Sequence, residues 1–333
     1  MIGLLALLAI TVLVSLSVGR YPVPLSLVIR ALADLATAHR PTSANETEFL
    51  VVSSVRLPRI VAALFSGLGL GLGGAALQGV FRNPLVGPQI LGISSGAAWG
   101  GVLGILLGLS SIGIVGSAFA FGLVALASVF AMSRLSQNGS LLSIVLAGVI
   151  VSSLFSALVG IAEFTADTER QLPGIVYWLL GTFANTSSRA ALIVALPTAL
   201  AASVLLLMRW RINLLSLGDD DAAALGVPVV RLRWLVLSLV TLMVAAQVSV
   251  SGAIGWVGLV VPHIARGLVG PDHRRLLPVS GLMGAVYLLA IDDIARTASV
   301  REVPLGILTA IVGTPIFALV FWRAQQSGWS ARD

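Results

Sequence analysis

At 333 residues, 57% hydrophobic and only 10% charged, with a mean hydropathy of +1.02, the chain is too apolar for a soluble globular domain and reads as an all-α, polytopic membrane protein. It has no cysteine, which excludes disulfides, a thiol nucleophile and a Cys-ligated metal site, and every basic residue is Arg, which excludes an internal Walker A motif and a Schiff-base lysine. The formal net charge of +6 is spread over short inter-helix loops, so it does not mark a nucleic-acid surface.

A membrane-crossing helix needs roughly 20 mostly apolar residues. Ten segments qualify: 1–18, 58–80, 89–109, 111–132, 141–161, 190–210, 233–250, 252–270, 276–295 and 303–323. The first lacks a basic leading region, so it reads as a transmembrane helix and not as a cleaved signal peptide. The following loop, about 20–57, holds Pro22, Pro24, Pro41 and His39, and is expected to lie outside with a short helix near 25–38. Segment 58–80 opens just after Arg56, with Arg59 close behind, and carries Gly67, Gly69, Gly71, Gly73, Gly74 and Gly79. In water each helical glycine costs about 1 kcal/mol relative to Ala. In a membrane small residues let backbones approach, and Gly67/Gly71 and Gly69/Gly73 both have G-x-x-x-G spacing. The helix is therefore expected inside a bundle. It ends at Arg82-Asn83-Pro84, and Asn-Pro favours a turn.

Segment 172–183 is too short to span; Tyr177 and Trp178 suit a helix lying at the interface or dipping in from it. Between the sixth and seventh spans, residues 213–231 predict a short loop helix. Asp219, Asp220 and Asp221 suit its N-terminus through the macrodipole, and Gly226 with Pro228 suits its end. Arg209, Arg211, Arg231 and Arg233 flank it. Leu85-Val-Gly-Pro88 recurs as Leu268-Val-Gly-Pro271, a sign of an internal repeat, and such repeats are common in transporters. His263 reads as structural and His273 as a solvated loop residue. Asp292 and Asp293 are expected to pair with Arg296, three or four residues on and so on one helical face.

Ten spans place both termini on one side. With that side taken as the cytoplasm, eleven arginines fall inside and nine outside, a weak positive-inside bias. Ionisable residues are almost absent from the helix centres; Asp292, Asp293 and Glu163 fall near outer ends. This opposes an ion-coupled secondary transporter and a membrane-embedded enzyme. With no ATP site of its own, a transporter of this kind needs a partner that supplies energy.

Several stretches carry a family resemblance: Arg56-Leu-Pro-Arg59, Gly74-Ala-Ala-Leu-Gln-Gly79, Arg82-Asn-Pro-Leu85, Gly92-Ile-Ser-Ser-Gly96, Ala222-Ala-Ala-Leu-Gly226, Gly255-Trp-Val-Gly-Leu-Val-Val-Pro-His263 and Glu302-Val-Pro-Leu-Gly306. Together they resemble the permease subunits of bacterial type II ABC importers for iron-siderophores, haem and cobalamin, over nearly the whole chain. The resemblance implies one cobalamin-importer-permease-like domain over 1–333, multi-pass in the inner membrane with both termini cytoplasmic. It implies no catalytic residue, cofactor or metal in this chain, and import of an iron chelate, siderophore or haem, with cobalamin or molybdate as alternatives. The implied partners are a second copy, two ATP-binding subunits that hold ATP and Mg, a periplasmic substrate-binding protein and the lipid bilayer. Residue by residue, it implies that Arg56, Arg59 and Arg296 offer cations to glutamates on the binding protein, for which arginine's planar fork is suited. It assigns Asn83 and Leu85 to the inner gate, and Ser143 to a second constriction where Gly139–Ser143 carries fewer hydroxyls than the family pattern. It assigns Gly218, Ala222, Ala223, Leu225 and Gly226 to the element that couples to the ATPase.

Overall fold

The structure, a computed structural model, describes residues 1–37, 45–135, 141–299 and 301–326, and no strand occurs among them. Helix α1 (Ile2–Ser17) is followed by α2 (Leu25–Ala36). Helix α3 (Glu46–Leu50) runs through a π-helical turn (Val51–Arg56) into α4 (Leu57–Phe81). A 3-10 turn (Pro88–Leu91) precedes α5 (Ile93–Leu106), α6 (Ser111–Leu135), α7 (Leu141–Thr165), α8 (Leu172–Leu180) and α9 (Ser188–Leu207). Two short helices, α10 (Arg209–Leu215) and α11 (Asp219–Ala224), lead to α12 (Val229–Ser251), α13 (Val257–Val269), α14 (His273–Thr297) and α15 (Leu305–Gln326). The expected all-α polytopic fold is the observed one, and each of the ten predicted spans has its helix. Among the described residues, six are long and apolar enough to cross a membrane: the α3–α4 unit, α6, α7, α9, α12 and α14. Helices α1, α5 and α13 are shorter, as is the stretch Leu305–Leu319 of α15.

Helix α4 is the centre of the bundle, and its glycines explain why. It runs antiparallel to α14, the contacts descending in step from Arg59/Asp292 through Gly67/Gly284 and Gly71/Ser280 to Gly79/His273. A Cβ on Gly67 or Gly71 would overlap the carbonyls of Gly284 and Ser280, and one on Gly74 the carbonyl of Gly258 in α13. The other glycine pair faces away: a Cβ on Gly69 would lie 3.2 Å from Thr198 of α9, and one on Gly73 would lie 3.2 Å from Val240 of α12. Two G-x-x-x-G stripes thus serve opposite faces, one against α14 and the other against α9 and α12. By contrast Leu146, Ile150 and Leu154 of α7, and Leu192, Leu196 and Leu200 of α9, are exposed, as a lipid-facing surface requires.

The helix containing α4 starts earlier than expected, at Glu46, so Arg56 and Arg59 lie within it. Pro58 accounts for the π-helical turn. It has no N–H, and its ring crowds the carbonyl four residues back, so the preceding residues widen. His273, expected in solution, is instead the first residue of α14 and 4% exposed; its backbone N–H donates to Asn213 Oδ1 at 3.0 Å and its ring covers Gly79. Asp272 caps that helix, accepting from the Arg274 N–H at 2.9 Å, which holds its carboxyl below the usual range. The two Leu-Val-Gly-Pro stretches differ in local structure. The first is a turn ahead of the 3-10 segment and the second begins as the last residues of α13, so the match marks no structural repeat. His39 lies outside the described residues.

The ends of the molecule follow from these contacts. The last turn of α1 lies against Arg56 and Arg296, and Glu302, just before α15, binds Arg59. Helices α1 and α15 run from that end in opposite senses, so Met1 and Gln326 lie at the far end, the end of α11.

Candidate functional site

At one end of the bundle, three arginines and three carboxylates form a balanced cluster. Arg59 donates Nε and Nη2 to the two oxygens of Asp292 at 2.8 and 2.9 Å, and Nη1 and Nη2 to the two oxygens of Glu302 at 3.0 and 2.9 Å. Both pairs are bidentate, the strong arrangement for a guanidinium. Arg296 reaches Asp293 and Ser15 Oγ, and Ser15 Oγ in turn donates to Asp293 at 2.8 Å. Arg56 donates to the carbonyls of Leu16 and Tyr21, and Arg296 to the carbonyl of Ser15. These two guanidiniums therefore cap the carbonyl end of α1, where orphan acceptors and the helix dipole favour cations. The three arginines that the resemblance assigns to docking stand together at this one end of the bundle. Arg56, Arg59 and Arg296 are 4, 7 and 5% exposed, each engaged inside its own chain, because Asp292, Asp293 and Glu302 neutralise charge that would otherwise hold them at the surface. Asp293 does pair with Arg296, as the spacing predicted, but Asp292 pairs with Arg59. The exposed arginines at this end include Arg20 and Arg301.

Further in, two breaks in regular helix face each other. After α12 the chain leaves helix at Gly252 (φ 69) and runs without regular structure to Trp256 (φ 68), where α13 begins. Thirteen residues make a helix of only about 20 Å, short of a roughly 30 Å hydrocarbon core. Irregular backbone at such depth persists only if its polar groups are satisfied within the protein. Gln247 Nε2 donates to the Gly252 carbonyl at 2.9 Å and to Ser251 Oγ at 2.7 Å, the Thr182 N–H donates to Ser251 O at 2.8 Å, and the Leu305 N–H donates to Gly181 O at 2.9 Å. Helix α8 belongs to this knot: Trp178 packs on Gly101, Ile175 is fully buried, and Gly181 touches the Ala253 carbonyl. The short segment dips into the bundle, one of the two placements its sequence allowed.

From the other end comes the turn after α4. Arg82 adopts the left-handed conformation (φ 51), uncommon without glycine, and closes the helix; the Asn83 N–H returns to Gln78 O at 3.2 Å. Asn83 Oδ1 accepts from the Leu85 N–H at 2.9 Å, the side-chain turn that Asn-Pro promised. Leu85 is 45% exposed and lines a cavity of about 200 Å³ with Pro88, Gln89, Ser94, Ile254 and Trp256. Asn83 lines a second cavity of about 410 Å³, together with Arg82, His263, Arg266 and His273. Ser143 is half-buried in the first turn of α7, and neither of these cavities includes it. The break at 252–256 was not read from the sequence, because the stretch is apolar enough to pass as helix; Gly252 and Gly255 were its signal.

At the far end, α11 packs one face on the bundle and presents the other outward. Ala222 is buried, whereas Ala223, Leu225 and Gly226 are exposed, as are Asp220 and Asp221. Gly218 (φ 140) supplies a backbone that side chains rarely adopt, where α11 begins. Arg233 Nη2 holds both oxygens of Asp219, at 2.8 and 2.7 Å, and Arg82 lies 3.6 Å from Asp219.

A many-helix membrane protein with cavities at facing helix breaks, and an exposed loop helix fixed at one end, has the build of a transport permease. Residues 7–323 match the FecCD transport family, and the chain belongs to that family of ABC transporter permeases. It is 46% identical over 326 residues to the molybdate import system permease protein MolB of Haemophilus influenzae, covering 98% of this chain and 96% of the relative. An iron chelatin transport system permease protein of Helicobacter pylori is 42% identical over 276 residues, 83% of each chain. Among solved structures, an inward-facing metal-chelate type ABC transporter superposes with a TM-score of 0.87 at 45% identity, covering 97% of this chain and 98% of that one. The chain is a multi-pass permease subunit of an ABC importer and not an enzyme.

Proposed function

We propose that the chain imports molybdate as the transmembrane subunit of an ATP-driven importer in a bacterial inner membrane. The α11 end and both termini face the cytoplasm, and the Arg59 end faces the periplasm. Two copies form the path, two ATP-binding subunits carry ATP and Mg beneath Leu225 and its neighbours, and a periplasmic binding protein delivers the cargo. This chain supplies no cofactor. The observation that carries the cargo assignment is the 46% identity to a molybdate permease along nearly the full length of both chains. An iron chelate is the second reading, favoured by the iron chelatin relative.

The test is uptake into proteoliposomes holding the permease, its ATP-binding subunit and its binding protein. Labelled molybdate is expected to accumulate with ATP inside; accumulation of a ferric chelate, with molybdate excluded, would reverse the two readings. Docking of the binding protein is assigned to the exposed cations of the outer end. Arg20→Glu combined with Arg301→Glu is expected to slow its association about tenfold at low salt and less at high salt, as rim charges do. Unchanged association kinetics at low salt would remove Arg20 and Arg301 from the docking face.

A further inference from the structure

One carboxylate joins the gate turn to the loop helix. Asp219, the first residue of α11, touches two arginines from two different long helices. The two contacts differ in kind. Arg233 of α12 has a 4% exposed side chain and both Asp219 oxygens within 2.8 Å; breaking that pair would strand a buried cation, so the bond is lasting. Arg82 is 41% exposed and 3.6 Å away, a contact that contributes little to stability and is easily broken and remade. Arg82 is also the residue on which the gate turn pivots. Its left-handed backbone redirects the chain out of α4, and the next residues are Asn83, with its side-chain turn, and Leu85 at the cavity. Its guanidinium also lies against Gly218, so it meets the loop helix where that helix begins.

We propose that the Arg82–Asp219 contact is the link that transmits movement of α11 to the gate turn, with Arg233 as its anchor on α12. Arg82 is a positioning residue: it acts through the turn that it closes, and it sets where Asn83 and Leu85 stand when α11 shifts. This rests on the reading of α11 as the element on which the ATP-binding subunit acts. A displacement of α11 by the ATPase would break or remake the Arg82–Asp219 contact, and the short, hydrogen-bonded turn 82–85 would be released or held with it.

The absence of native cysteine permits a direct test. A thiol introduced by Leu85→Cys is labelled with a water-soluble maleimide in the permease–ATPase complex, without nucleotide and with ATP plus vanadate. With Arg82 present, the labelling rate is expected to differ between the two states by at least about fivefold, the lower end of usual coupling between sites. With Arg82→Gln the difference is expected to vanish while the complex holds together and hydrolyses ATP, and Arg82→Lys is expected to restore part of it. A full nucleotide response in Arg82→Gln would overturn the link, as would loss of the ATPase from the Arg82→Gln complex, which would show a merely structural role. No response even with Arg82 intact would overturn the reading of α11 itself, and the link with it.

Discussion

Arg59→Met is expected to cost about 3–5 kcal/mol and to remove most of the folded protein from the membrane, because it strands a buried carboxylate. Asp292 is completely buried, and its bidentate partner is Arg59. Folded proteins are stable by only about 5–15 kcal/mol, so a loss of this size is close to decisive. The diagnostic comparison is with Arg59→Met/Asp292→Asn/Glu302→Gln, which removes the charge on both sides. Replacing a whole buried ion pair is often neutral, whereas breaking one is not. The triple variant is therefore expected to recover much of the melting temperature lost in the single one, measured as the fraction monodisperse after heating in detergent. If the single variant is as stable as the parent, the cluster does not hold α4, α14 and the start of α15 together. If the triple variant is worse than the single, the cost lies in lost packing and not in stranded charge.

The second large effect is expected in the glycine stripes of α4. Gly71→Ala and Gly74→Ala place a methyl group on the backbone carbonyls of Ser280 and Gly258, where no rotamer can relieve the overlap. Each is expected to cost about 3 kcal/mol, the upper range for overpacking a tight core. Gly160→Ala on α7 is the control: a Cβ there has no heavy atom within 4 Å. It is expected to be neutral, or stabilising by up to about 1 kcal/mol from helix propensity. Equal stability in all three variants would mean that α4 does not pack backbone to backbone with its neighbours.

The helical fold and the central place of α4 were legible because their signals are local. Apolar runs give the helices, and glycine spacing gives close approach on two faces. The turn at Asn83 and the loop helix at 219–224 were legible for the same reason, since Asn-Pro and an acidic N-terminus act over a few residues. What failed was long-range. Arg56 and Arg59 read as the boundary of a span because nothing nearby in sequence neutralises them. Asp292 and Glu302, more than 200 residues on, turn a surface charge into a buried one. His273 was misjudged in the same way, its surroundings being set by Asn213 and Gly79. The short α13 was hidden because an apolar segment looks alike as helix or as extended chain; the difference is Gln247, which binds the freed carbonyl of Gly252 from the preceding helix. The turn at 82–85 and the helix at 219–224 could each be singled out in the sequence, but the contact between Arg82 and Asp219 is a property of the fold.

Cargo is expected to cross this permease only through the action of its ATP-binding partner. The decisive measurement is molybdate uptake into proteoliposomes containing this chain with its binding protein, with and without the ATP-binding subunit, under imposed proton and sodium gradients. Uptake is expected only when the ATP-binding subunit and ATP are both present, and is expected to be indifferent to the gradients. Uptake by the chain without its ATPase, driven by either gradient, would contradict it.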